Sequence, residues 1–172
     1  MQKLLKTLRR EILPVGLILI LVFSRLIPHP PNFTPVITVA IMGGYFFRNI
    51  YFCFAILLAS MFLADMVLGF YENMIFVYLS LLIVALSLFS FSKKINFKNL
   101  FVYGFFGSVI FFLVSNFGFW LLGDLYSKDI NGLIQAYIMA IPFFKNTLIS
   151  TLIFSYATLT VYKTSNKYFV IQ

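Results

Sequence analysis

The sequence predicts an all-α polytopic membrane protein of six transmembrane helices, with both termini on the inner side. Three observations predict it. The 172 residues are 62% hydrophobic and 10% charged, with a mean hydropathy of +0.98. A water-soluble domain of this length has too few polar side chains here to cover its surface. Apolar runs of about 20 residues recur, the length a helix needs to cross a bilayer. The basic residues gather at alternate ends of those runs. Strands of alternating apolar and polar residues are missing, which argues against an outer-membrane barrel.

The elements follow in order, within a single integral domain over 1–172. The start, M-Q-K-L-L-K-T-L-R-R-E, is basic and amphipathic. The first span covers 12–27, with Pro14 in its first turn, where proline is tolerated. No small-x-small cleavage site follows, so this is an uncleaved helix rather than a signal peptide. Arg25 to Pro35, R-L-I-P-H-P-P-N-F-T-P, then holds four of the six prolines and the only histidine. Proline fixes φ and has no N–H, so this stretch is a stiff, extended connection. The second span, 35–47, is short and contains Gly43-Gly44, which permit close packing or a break. A turn at Arg48-Asn49 leads to the third span, 50–69, with Asp65 in its last full turn. Phe70 to Asn73 form a short loop before the fourth span, 74–91. A polar link with Lys93, Lys94 and Lys98 precedes the fifth, 100–122. After the polar loop 123–132, the apolar segment 133–141 reads as an interfacial or re-entrant piece, and Pro142 starts the sixth span, 142–162. There is no internal repeat, so an inverted-repeat transporter is not supported.

Six spans sort the charges. Ten of the thirteen basic residues fall on the side of the termini; only Arg25, Lys128 and Lys145 fall opposite. Four of the five acids, Asp65, Glu72, Asp124 and Asp129, fall opposite too. The positive-inside rule then gives both termini inside. A net charge of +8 so placed is a topology signal, not a nucleic-acid one, and no nucleic-acid partner is expected.

The chemistry-bearing residues converge on the outer face. Arg25 facing lipid would cost roughly 2.5–3.5 kcal/mol on insertion scales. It either snorkels as the anchor of a rigid turn or lines a polar site with His29 and Asn32. Asp65 needs a partner or water, and Arg25 at the same level could pair with it. Asn116 and Trp120 are four residues apart and share a helix face. They either tie helices and mark the interface or meet a ligand. Asn146 sits at a similar depth on the sixth helix. One His and one Cys (Cys53, a small buried hydrophobe) exclude a structural zinc site. No nucleophile elbow, metalloprotease motif or phosphate loop is present, so neither an enzyme nor a cofactor is expected.

The blocks R-L-I-P-H-P-P-N-F-T-P-V, M-G-G-Y-F, F-L-A-D-M-V-L-G-F, S-N-F-G-F-W and A-I-P-F-F-K-N-T resemble a bacterial family of small membrane transport proteins. That family is similar to the S components of energy-coupling-factor transporters. The resemblance runs from about residue 12 to 160, and R-x-x-P-H-P-P-N is its most specific part. It implies a six-helix S-component-like bundle in the bacterial inner membrane. It also implies capture of a vitamin-like solute at an outward-facing site, with a separate ATPase and transmembrane module as partner. The order of motifs is also similar to the solitary S components that carry vitamin B12. Two departures stand out. The first helix lacks the small-xxx-small pattern used to dock a shared module. Met74 and Ile75 stand where B12 carriers place a cobalt-binding cysteine.

The expectation is therefore uptake of a small solute by a protein embedded in membrane lipid. Arg25, His29, Asn32, Asp65, Asn116, Trp120 and Asn146 are its candidate site. Arg25 would hold an anionic or carbonyl group, and Trp120 would stack on a flat ring. The alternative is a membrane scaffold in which the same residues only tie helices together.

Overall fold

The computed structural model describes residues 12, 14–16, 18–20, 22–47, 49–92 and 94–170. The basic start at 1–11, Arg48 of the predicted turn and Lys93 of the predicted link lie outside them. Among the described residues six helices follow one another: α1 (Pro14–Leu26), α2 (Val36–Phe47), α3 (Ile50–Leu68), α4 (Met74–Ser92), α5 (Leu100–Leu122) and α6 (Ile130–Val170). The last residues of α1, Ser24–Leu26, tighten into a 3-10 turn. Helices α3 to α6 are each long and apolar enough to cross a membrane. This is an all-helical membrane protein.

The bundle is built around its shortest long-range element. Helix α2 touches α3, α4, α5 and α6, and ten of its twelve residues are buried. Its apolar residues surround the axis, V-I-T-V-A-I-M-G-G-Y-F-F, as expected of a helix enclosed on all sides. At about 18 Å it is too short to cross a bilayer core of about 30 Å alone. Gly43-Gly44 do not break it. A Cβ on Gly43 would lie 2.8 Å from the sulfur of Cys53, so glycine is what lets α2 and α3 approach. Asn49 sets the start of α3: its side chain accepts from the Phe52 N–H at 3.1 Å.

The interior is an apolar core, with Ile37, Met42, Leu57 and Leu159 fully buried, and hydroxyls are enclosed within it. Thr38, Ser108, Thr151 and Ser155 are fully buried. The Thr38 hydroxyl meets the Thr151 carbonyl at 3.1 Å and the Ser155 hydroxyl at 3.0 Å, joining α2 to α6. Large apolar side chains such as Phe62, Leu86, Phe106 and Ile153 point outward, exposed. Buried hydroxyls that bond from helix to helix, with large apolar side chains facing out, suit a bundle in lipid.

Helix α6 differs from the sequence expectation. Pro142 does not start it but lies within it, and 133–141 is its first part rather than a separate interfacial or re-entrant piece. The helix also runs past Tyr162 to Val170. Proline costs a helix one N–H bond, yet packing against α5 on both sides of Pro142 holds the axis together. The Tyr137 hydroxyl donates to the Leu113 carbonyl at 2.7 Å before it, and the Phe144 ring meets Phe112 at 5.2 Å after it. At 41 residues α6 spans about 62 Å, twice a bilayer core.

Candidate functional site

At the end of the bundle where the prolines and acids gather, α5 and α6 leave a cavity of 530 Å³ between them. Its lower wall is the proline-rich connection. There Phe33 N–H bonds the Pro30 carbonyl at 3.0 Å, closing a turn with Pro31 second and Asn32 third. Asn32 has φ +59°, the left-handed region that a type II turn needs and asparagine tolerates. Asn73 and Val77 from the start of α4 form one side. Phe111, Ser115, Asn116 and Phe119 come from α5, and Ala136, Met139, Ala140 and Phe143 from α6. Leu125 and Tyr126 of the 123–129 loop complete it.

The room comes from α6. Ala136 and Ala140 are four residues apart and so share one face, where their small side chains leave space opposite Phe111 and Ser115. The 123–129 loop is fixed by its neighbours. The Trp120 indole N–H donates to the Ser127 carbonyl at 2.8 Å. Lys128 reaches back to the Trp120, Leu121 and Gly123 carbonyls, the open end of α5. Asp129 caps α6 by accepting from the Gly132 N–H at 2.8 Å. That bond, with the Ser127 hydroxyl, holds the Asp129 carboxyl below the usual carboxylate range.

Beside the cavity lies a separate buried cluster. Arg25 Nη2 donates to Asp65 Oδ1 at 2.9 Å, with side chains only 11% and 1% exposed. The Tyr78 hydroxyl donates to the other oxygen, Oδ2, at 2.8 Å. Arg25 Nη1 touches the Met61 sulfur at 3.2 Å, and Arg25 Nε is buried without a partner among the described residues. A pair so enclosed leaves neither charge available to a ligand while it stays intact.

The seven candidate residues therefore divide. Asn32 and Asn116 line the cavity. Arg25 and Asp65 are joined to each other outside it. Asn146 donates to the Pro31 carbonyl at 3.0 Å, pinning the proline-rich connection to α6. His29 is exposed and its ring lies 3.0 Å from the Pro30 carbonyl. Trp120 braces the loop above. Four residues advance a helix by about 400°, so Trp120 is rotated by roughly 40° from Asn116 and one turn beyond it. Sequence reasoning missed Asn73, Tyr126 and the phenylalanine walls. The spacing of Ala136 and Ala140 was the available signal.

No curated protein and no solved structure matches the chain. A family model matches residues 5–170, and the chain belongs to that family, the family of unknown function DUF6580.

Proposed function

We propose that this protein is a solute-binding membrane transport protein of the bacterial inner membrane. It crosses six times with both termini inside, takes a small solute from the outer side and releases it inward. The cavity carries this reading: 530 Å³, apolar walls and a few convergent polar groups are what small-molecule sites combine. The division of basic residues supports the orientation, which turns the cavity outward. An energising module is a partner of this reading by resemblance alone, and α1 lacks the small-xxx-small pattern for docking it.

The scaffold reading has its own support. Arg25–Asp65, Asn146–Pro31 and Trp120–Ser127 show polar groups tying elements together. Thermal-shift screening of vitamins and cofactors in lipid nanodiscs separates the two. Transport expects a stabilising solute in the wild type and none in Ala140→Trp, which fills the cavity. A wild type stabilised by no solute, with Ala140→Trp folded and more heat-stable, favours the scaffold.

A further inference from the structure

We infer that the solute held in the cavity is uncharged and carries a flat ring whose edge both donates and accepts hydrogen bonds, an inference that rests on the binding reading above. Its first ground is charge. None of the described residues lining the cavity is charged. Of the charges nearby, Arg25 and Asp65 are joined to each other, Lys128 to the carbonyls ending α5 and Asp129 to the cap of α6; Glu72, Asp124 and Lys145 are exposed and do not line the cavity. An ion drawn in against the buried Phe111 would lose part of its hydration with no counter-charge in the lining to replace it.

The second ground is the state of the amides. Asn49 caps a helix, Asn96 and Asn99 bond each other's backbone, and Asn146 bonds Pro31. The cavity asparagines differ. Among the described residues the side chains of Asn32 and Asn73 make no hydrogen bond, a state shared outside the cavity by the exposed Asn131. Asn116 uses only its Nδ2, on the Phe112 carbonyl at 2.8 Å, which leaves its Oδ1 an unused acceptor. The Tyr126 hydroxyl is likewise uncommitted. Amides read neighbouring donors and acceptors, as in an amide or imide edge. The aromatic walls supply stacking faces for the ring behind that edge.

The test uses the full chain in nanodiscs, free of competing detergent, and three matched pairs: riboflavin and its 5′-phosphate, nicotinamide and nicotinate, biotinamide and biotin. Equilibrium dialysis gives Kd for each. The expected result is that an uncharged member binds at least about tenfold more tightly than its charged partner, a difference of about 1.4 kcal/mol. Asn116→Leu, and independently Asn73→Ala at the open start of α4, should weaken that binding severalfold while Tm is kept. A charged member binding as tightly as its partner overturns the ligand class and leaves the binding reading standing. Failure of every member to bind overturns the binding reading and this inference with it. A phospholipid that stays on the protein in native mass spectrometry, and is lost in Ala140→Trp, overturns it in favour of a lipid occupant.

Discussion

Arg25 and Asp65, forty residues apart in the chain, meet as a buried ion pair at 2.9 Å, with Tyr78 closing the second carboxylate oxygen. The pair joins the end of α1 to the end of α3 and holds the proline-rich connection that follows Arg25 at a fixed height. Removing one partner of a buried pair strands the other's charge and costs about 3–5 kcal/mol. Arg25→Ala should therefore lower stability more than the joint Arg25→Ala, Asp65→Ala change does. Unfolding of the four variants in a double-mutant cycle measures this. Strictly additive losses would show that the two groups do not couple.

The contact between α2 and α3 gives a second prediction. A methyl on Gly43 meets the Cys53 sulfur at 2.8 Å, and both residues are buried. Gly43→Ala should destabilise by about 1–3 kcal/mol, the range for overpacking. Cys53→Ala removes the sulfur, so the double variant should recover part of that loss. Equal Tm values for Gly43→Ala with and without Cys53→Ala would mean that the strain lies elsewhere.

Much of this was legible in the sequence, for reasons that vary by residue. The apolar runs 50–69, 74–91 and 100–122 are legible from their length and coincide in extent with the helices α3, α4 and α5. The Arg25–Asp65 pair was readable because an ion near the membrane must find a partner. Pro142 misled: a local rule starts a helix there, whereas packing of Tyr137 and Phe144 on α5 carries α6 through it. The site was half legible for a similar reason. A polar residue in a membrane helix announces that it needs a partner, but not which one. Trp120 and Asn146 found backbone carbonyls; Asn116 kept an oxygen for the cavity. Cavity walls made of Phe look in sequence like any other part of such a chain, and only the spacing of Ala136 and Ala140 marks the room beside them.

Acid should weaken the cap of α6. The Asp129 carboxyl is held low by the Gly132 N–H and the Ser127 hydroxyl. Its folded pKa lies below its unfolded one, so its contribution is present above the unfolded value and is lost as pH falls through the folded one. The Tm gap between wild type and Asp129→Asn should be open at pH 7 and close below about pH 4, the ordinary aspartate range. A gap unchanged from pH 7 to pH 3 would remove Asp129 as the titrating group.

Orientation is tested by labelling. In a Cys53→Ala background, single cysteines replacing Lys98 and Asp124 report the two ends of the bundle. The division of Lys and Arg predicts that an impermeant maleimide reaches position 124 in intact cells and position 98 only after lysis. The reverse pattern would turn the cavity inward and end the uptake reading.

The last prediction separates a residue that meets the solute from one that only positions the wall. Trp120 lies outside the cavity lining, yet its N–H holds the Ser127 carbonyl at 2.8 Å and its ring lies under Lys128 at 5.9 Å. Leu125 and Tyr126, carried by the same loop, do line the cavity. Trp120→Phe keeps a ring beside Phe117 but deletes the donor, so one net hydrogen bond of about 0.5–1.5 kcal/mol is lost at the loop. Hydrogen exchange over 123–129 should speed up severalfold while exchange in α2 stays unchanged. Solute binding should weaken for every member of a ligand series by a similar factor, because the loop moves as a whole. Asn116→Leu should do the opposite: leave loop exchange as it is and weaken only ligands that donate to its Oδ1. If Trp120→Phe instead leaves loop exchange untouched and discriminates among ligands, the indole contacts the solute directly, and the stacking role expected from the sequence is the correct one.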